Sequence, residues 1–171
     1  EFLGILRCAY DNDVTLSAND GVNLNTVSDE ILEGLVIYRL RNMTCSIDGA
    51  SDETYALYRR GGSFSTVMEN VRKLNEIKAR HRSKLPRLTW QFVVFGHNEH
   101  EITRARELAM ALDMRFRLKL PWNPEFSPVA NTELIQREIG AASREEYRQR
   151  FGVDYAMKTC FHLWNCPTIN W

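Results

Sequence analysis

Apolar residues recur along the chain at two periods, and the two periods alternate. Ile31, Leu32, Leu35 and Val36 follow Ser28 at helical spacing, which predicts an amphipathic helix over about 28–38 with Ser28 as its cap. Val67, Val71, Leu74 and Ile77 or Lys78 mark the buried stripe of a second helix over about 63–81, opened by Ser63 and stopped before Lys84-Leu85-Pro86. A third, over about 99–112, carries Ile102, Ala105, Ala109 and Leu112 on one side, with Glu99 and Glu101 in the first turn, where the macrodipole favours acids. Between the helices, runs near 13–18, 42–47, 88–95 and 115–120 alternate with period two and read as strands. Strands separated by helices are joined by crossovers, so the expected fold is α/β with a parallel sheet. Pro121, Pro124 and Pro128 then interrupt the rhythm, and Ser143 to Phe151 forms a highly charged helix.

A parallel sheet covered by helices on both sides is apolar on both faces. These strands are not. Thr15, Ser17 and Asn19 alternate with Val14, Leu16 and Ala18; Thr44, Ser46 and Asp48 with Met43, Cys45 and Ile47; Thr89 and Gln91 with Leu88, Trp90 and Phe92; Arg115, Arg117 and Lys119 with Phe116, Leu118 and Leu120. One face is therefore polar, and it looks either into solvent or into the wet interior of a curved, barrel-like sheet. The Ser, Asn, Asp and Gln residues fall mainly toward the carboxyl ends of their strands, where parallel α/β folds place ligands, which favours the interior. The cations of the fourth strand would serve an anionic group or pair with Asp48. Two turns add to this: Ser46-Ile47-Asp48-Gly49-Ala50, whose carboxylate suits hydroxyls such as those of a ribose, and Arg59-Arg60-Gly61-Gly62, a basic pair beside permissive backbone. Taken singly, each also reads as an ordinary structural turn.

Composition narrows the partners. Of 171 residues, 22 are Lys or Arg and 22 are Asp or Glu, so the formal net charge is zero and the footprint of a nucleic-acid or anionic-membrane binder is missing. No apolar run approaches the roughly 18–20 residues of a membrane span, no signal sequence opens the chain, and the expected location is cytoplasmic. A chain of this length buries a core without disulfide or metal staples. Cys8, Cys45, Cys160 and Cys166 match no short-spaced metal or redox pattern. Cys8 and Cys45 read as small core residues, whereas Cys160 and Cys166 are either core residues or thiolates awaiting further partners. The opening Glu1-Phe2 and the closing Asn170-Trp171 read as the ends of a piece of a longer protein.

Taken in order, Ser46-Ile47-Asp48-Gly49-Ala50-Ser51-Asp52-Glu53-Thr54-Tyr55, Tyr58-Arg59-Arg60-Gly61-Gly62-Ser63-Phe64 and Asn70-Val71 resemble the fourth-strand region of radical S-adenosylmethionine (radical SAM) enzymes. Leu16 to Leu24 resembles their third-strand Ser-Thr-Asn-Gly turn, and Gln91-Phe92-Val93-Val94 with Asn98-Glu99-His100-Glu101 their fifth strand and the following loop. Cys160-Phe161-His162-Leu163-Trp164 with Ile169-Asn170 is similar to the opening of a SPASM extension. The resemblance implies an incomplete TIM-like barrel, a parallel-sheet partial (βα)6 barrel lacking its N-terminal βα units, over 1–125, a helical linker over 126–155 and the start of a SPASM-like cluster-binding extension over 156–171. It also implies S-adenosylmethionine and a [4Fe-4S] cluster, whose reductive cleavage of the cofactor gives a 5'-deoxyadenosyl radical that takes hydrogen from a peptide, protein or small-molecule substrate, with a flavodoxin or ferredoxin as electron donor. By motif position Ser17 and Asn19 lie near the cofactor, Ser46 and Asp48 contact its ribose or amino-acid part, Arg59 faces its carboxylate, and Gln91 and Asn98 are carried over with them. Cys160, with Cys166 as a further candidate, would ligate an auxiliary iron-sulfur cluster.

The sequence departs from that pattern in two places. Ala18 and Asp20 stand where the family has Thr and Gly, which alters or shifts the third-strand contact. The Cys-x-x-x-Cys-x-x-Cys motif is absent, as is the glycine-rich segment that follows it, so residues 1–171 by themselves are expected to be inactive. Two other readings compete. Asp48-Gly49-Ala50-Ser51-Asp52 is also similar to the Asp-Gly-Ser turn of nucleotide-sugar glycosyltransferases, and an eroded barrel that binds a peptide without catalysis accounts for the missing cysteines.

Overall fold

The computed structural model describes residues 1–155. Helix α1 (Phe2–Asp11) leads into strand β1 (Ala18–Val22), followed by α2 (Asp29–Ile37), β2 (Asn42–Ser46), α3 (Asp52–Tyr58), α4 (Phe64–Arg80), β3 (Arg87–Val93), α5 (Ile102–Ala111), β4 (Met114–Lys119), α6 (Thr132–Ile139) and α7 (Arg144–Phe151). The four strands form one sheet in the order β1-β2-β3-β4, every neighbouring pair parallel. This is the α/β arrangement expected from the alternating periods.

Local chemistry sets the helix ends. Ser28, Ser63 and Ser143 are N-caps whose hydroxyls accept from the amides of Ile31, Thr66 and Glu146. Ser51 caps α3 in the same way, accepting from Thr54. Apolar stripes then choose the buried side. Leu32, Leu35 and Val36 from α2, Val67, Val71 and Leu74 from α4, and Ile102, Ala105 and Ala109 from α5 share one core with Met43, Cys45, Leu88, Trp90, Phe92 and Met114 of the sheet. Register brings Met43, Leu88 and Met114 side by side, then Cys45, Trp90 and Phe116. The alternate rows are polar: Thr44, Thr89 and Arg115, then Ser46, Gln91 and Arg117.

Two expectations need correction. The first strand does not span 13–18. Asp13 turns the chain at φ 55° after α1, Val14 is exposed, and the ladder begins only at Ala18. Its register slips between Ala18 and Val22, where Gly21 takes φ 106°, a conformation that only glycine enters without strain. Cys8 is not a core residue. Phe2, Leu3 and Leu6 supply the inward stripe of α1, and Cys8, two positions past Leu6, faces solvent.

Cys45 is buried as expected, and burial pushes its thiol up to about 12. Iodoacetamide added to the native chain near pH 8 should therefore carbamidomethylate Cys8 and leave Cys45 unmodified until denaturant is added, as read by peptide mass mapping. Labelling of both at equal rates would contradict this packing.

Among the described residues β1 and β4 are the two edges of the sheet. Beyond β4, α6 buries Ile135 in the core and Arg144 of α7 donates to the carbonyls of Leu120 and Pro121, so α6 and α7 are fastened to the sheet and the turn that leaves it. No helix among the described residues is long and apolar enough to cross a membrane.

Candidate functional site at the carboxyl ends of the second and third strands

Asp48 lies two residues past the end of β2 and is fully buried. Its Oδ2 accepts from Arg59 Nε at 2.6 Å and faces Arg59 Nη2 at 2.6 Å, while its Oδ1 accepts from the amide of Val93 at 2.7 Å. One carboxylate thus ties the end of β2 to the end of β3 and to the residue that closes α3. Burial pushes the Asp48 carboxyl above its ordinary range, against the pull of the Arg59 guanidinium and the Val93 amide. Among the described residues Arg59 Nη1 has no hydrogen-bond partner, and the side chain is one-third exposed. Asp48 is committed inward and holds Arg59 outward.

Asn98 fixes the loop after β3. Its Oδ1 accepts from the Phe95 amide at 2.8 Å, and its Nδ2 donates to the carbonyls of Val93 at 2.9 Å and Asp48 at 3.1 Å. Glu101 completes the frame by accepting from the Ala50 amide at 2.6 Å. The turn between Asp48 and Ala50 needs glycine for space, since a Cβ on Gly49 would come within 2.7 Å of the Tyr55 nitrogen.

On the polar face of the sheet, Gln91 Nε2 donates to Ser46 Oγ at 3.4 Å, and both residues are nearly buried. Gly21 of β1 lies directly over the same hydroxyl, and a Cβ at that position would collide with it. Lys119 of β4 is near enough for Asp48 and Asp20 to raise its pKa, although burial, then Arg117 and Arg144, produce a net downward shift. An aromatic wall rises beside Arg59: the Tyr58 ring lies 4.6 Å from Phe95 and 5.6 Å from Phe126, centroid to centroid, with the Arg59 guanidinium 5.3 Å from the Tyr58 ring. His97 stacks on Phe95 at 5.3 Å with its Nε2 buried and unpartnered among the described residues, and burial pushes its pKa down.

The structure thus brings Ser46, Gln91, Asp48, Arg59 and Asn98 to one end of the sheet. Ser17 is elsewhere: its hydroxyl accepts from Asn42 Nδ2 at 3.2 Å, at the opposite, amino end of β2. Asn19 is exposed on β1 and makes no side-chain hydrogen bond among the described residues. In place of Ser17, the β1 residue nearest Ser46 is Gly21, whose left-handed backbone is a signal that the Asp20-Gly21 pair carries in the sequence. Glu101 also escaped the pattern, since an acid in a helix's first turn explains itself locally. Cys160 and Cys166 lie outside the described residues.

A [4Fe-4S] cluster does not fit the described residues: Cys45 is sealed in the core as a thiol, Cys8 stands alone on α1, and no three His, Cys, Asp or Glu side chains gather to hold a metal. An Asp that bridges a divalent cation to a diphosphate must turn an oxygen outward, and Asp48 turns both inward. Hydroxyl and amide groups over a Cβ-free seat, with a guanidinium beside them, do suit a ligand bearing hydroxyls and a carboxylate. What the fold defines is an α/β protein with polar side chains gathered at the carboxyl ends of parallel strands. No protein-family model matches the sequence, and no curated protein matches it.

Proposed function

We propose that this chain is the S-adenosylmethionine-binding stretch of a radical SAM enzyme, its four strands being the third to sixth of a partial (βα)6 barrel. The observation that carries the reading is the convergence of Ser46, Gln91 and Gly21 next to an Arg59 held outward by buried Asp48. In this reading Ser46 and Gln91 offer a hydroxyl and an amide to the ribose, and Arg59 Nη1 receives the cofactor carboxylate. Asp48 is a positioning residue that aims Arg59, and Asn98 fixes the loop after β3 against the ends of β2 and β3. The sequence holds no Cys-x-x-x-Cys-x-x-Cys motif, so residues 1–171 alone should form no 5'-deoxyadenosine when supplied with iron, sulfide, reductant and S-adenosylmethionine.

Calorimetric titration separates the roles. The chain should bind S-adenosylmethionine and also 5'-methylthioadenosine, which lacks the amino-acid moiety. Arg59→Ala should weaken the first by about tenfold, the loss of one charge-assisted pair, and leave the second unchanged. Absence of binding by the unaltered chain, or equal loss of both ligands, would overturn the assignment of Arg59 to a carboxylate.

A further inference from the structure

The outer edge of β4 combines three features that the proposed contacts of Ser46, Gln91 and Arg59 do not use. Its ladder runs only to β3, from Leu88 with Met114 to Val93 with Lys119, so among the described residues the other edge presents unpaired backbone N–H and C=O groups. A cavity of about 370 Å³ follows that edge, lined by the consecutive residues Phe116, Arg117 and Leu118 and, across from them, Arg106, Glu138 and Ile139. Residues of both faces of β4 line it in succession, as they do where a cavity meets the edge of a strand. Third, Arg115, Arg117 and Lys119 form a row on the polar face over roughly 13 Å, at the two-residue period of an extended strand. None of the three makes a hydrogen bond or ion pair among the described residues.

Neighbouring acids offset the row only at its Lys119 end, where Asp20 of β1 and Asp48 favour the charged form without forming an ion pair to it among the described residues. Glu138 is taken by Arg106 at 2.6 Å and Asp48 by Arg59. Arg117 and Arg144 push Lys119 further from its charged state, so the cations repel one another where they stand. The sixteen residues 156–171 contain no Asp or Glu and bring no complement. Like charges along an edge also reject a second copy of the same strand, which leaves the edge open only to a partner of opposite sign.

We infer that the free edge of β4 accepts an acidic peptide in extended conformation, as an added strand whose alternate carboxylates face Arg115, Arg117 and Lys119 and whose intervening apolar side chains enter the cavity beside Phe116. This surface is independent of the cofactor reading, because it uses neither Ser46 nor Arg59. Strand addition supplies affinity through main-chain hydrogen bonds, and the side-chain period supplies selectivity. A nucleic-acid strand also carries spaced anions, but it lacks the backbone donors and acceptors that an edge pairs with, and the zero net charge of the chain gives it no long-range attraction.

The test is fluorescence anisotropy of a labelled peptide of alternating Glu and Val, about seven residues long, the length of an ordinary strand, against the 171-residue chain. It should bind saturably. The matching Lys and Val peptide should not bind, a Glu and Val peptide N-methylated along one edge should bind at least about tenfold more weakly, and Arg117→Glu should weaken the parent peptide by about tenfold or more. Amides on the open edge around Phe116 to Leu118 should gain protection from hydrogen exchange in the complex. The peptide arms need no altered protein, so a misfolded variant cannot decide the result. The inference is overturned by no binding of the Glu and Val peptide, by equal binding of the N-methylated form, or by equally tight binding of an oligodeoxythymidylate.

Discussion

Asp48→Ala should lower the free energy of unfolding by about 3 kcal/mol, at the low end for removing one partner of a buried ion pair. Three groups lose their acceptor at once: Arg59 Nε, Arg59 Nη2 and the Val93 amide. The Arg59 side chain is one-third exposed and can turn toward water, which limits the loss on that side. The Val93 amide belongs to the last residue of β3 and must find a new partner or go without. Asp48→Asn keeps the shape and one acceptor oxygen, so it should cost about half as much. Urea unfolding followed by circular dichroism measures both, with the slope against urea unchanged if only the native contacts are lost. A loss below about 0.5 kcal/mol for Asp48→Ala, the size of a surface change, would mean that the carboxylate does not join the two strand ends. The same variant should release Arg59 from its outward aim, so that S-adenosylmethionine binding falls while 5'-methylthioadenosine binding holds.

Trp90→Ala should cost about 3–5 kcal/mol, the range for truncating a large buried aromatic. Trp90 is fully buried at the centre of β3, with its ring centroid 6.1 Å from Phe64 and 6.3 Å from Phe116. Its indole Nε1 donates to the Ile47 carbonyl at 2.7 Å, at the approach to Asp48. Two losses therefore add: a cavity between the sheet and α4, and a buried carbonyl left without its donor. Trp90→Phe separates them, since it keeps most of the apolar contact and should cost about 1–3 kcal/mol for the unpaired Ile47 oxygen with a smaller void. Calorimetry should show a fall in Tm of roughly 6–20 °C for the alanine variant, at about 2–4 °C per kcal/mol for a chain of this size. An unchanged Tm would contradict the placement of this ring at the core.

Much of the framework was legible because its causes are local. Ser28, Ser63 and Ser143 cap the helices that follow them, and the stripes of α2, α4 and α5 face the core as their spacing requires. Strands β2, β3 and β4 fall within a residue or two of their alternating runs, and the polar row through Thr44, Ser46, Thr89, Gln91 and the cations of β4 is the row that the pattern implies. The first strand was misplaced because Val14, Leu16 and Ala18 alternate as well as any strand does, while the turn at Asp13 and the bulge at Gly21 depend on backbone angles that no periodicity reports. Helices α3 and α6, of 7 and 8 residues, are too short for a period of 3.6 to stand out.

The sequence by itself determined which residues are apolar at which period, and hence the helices, three of the four strands, their parallel crossovers and a sheet with one polar face. Only the tertiary structure decided what each polar group does. Asp48 finds Arg59 eleven residues on and Val93 forty-five residues on, so its carboxylate is a buried brace rather than an open ligand. Ser17 and Ser46 read alike as strand serines, yet one pairs with Asn42 at the amino end of β2 and the other meets Gln91 and Gly21 at the carboxyl end. Hydrophobic periodicity is a property of neighbours in the chain, whereas a hydrogen bond depends on separations of about 3 Å between groups that only the packed sheet brings together.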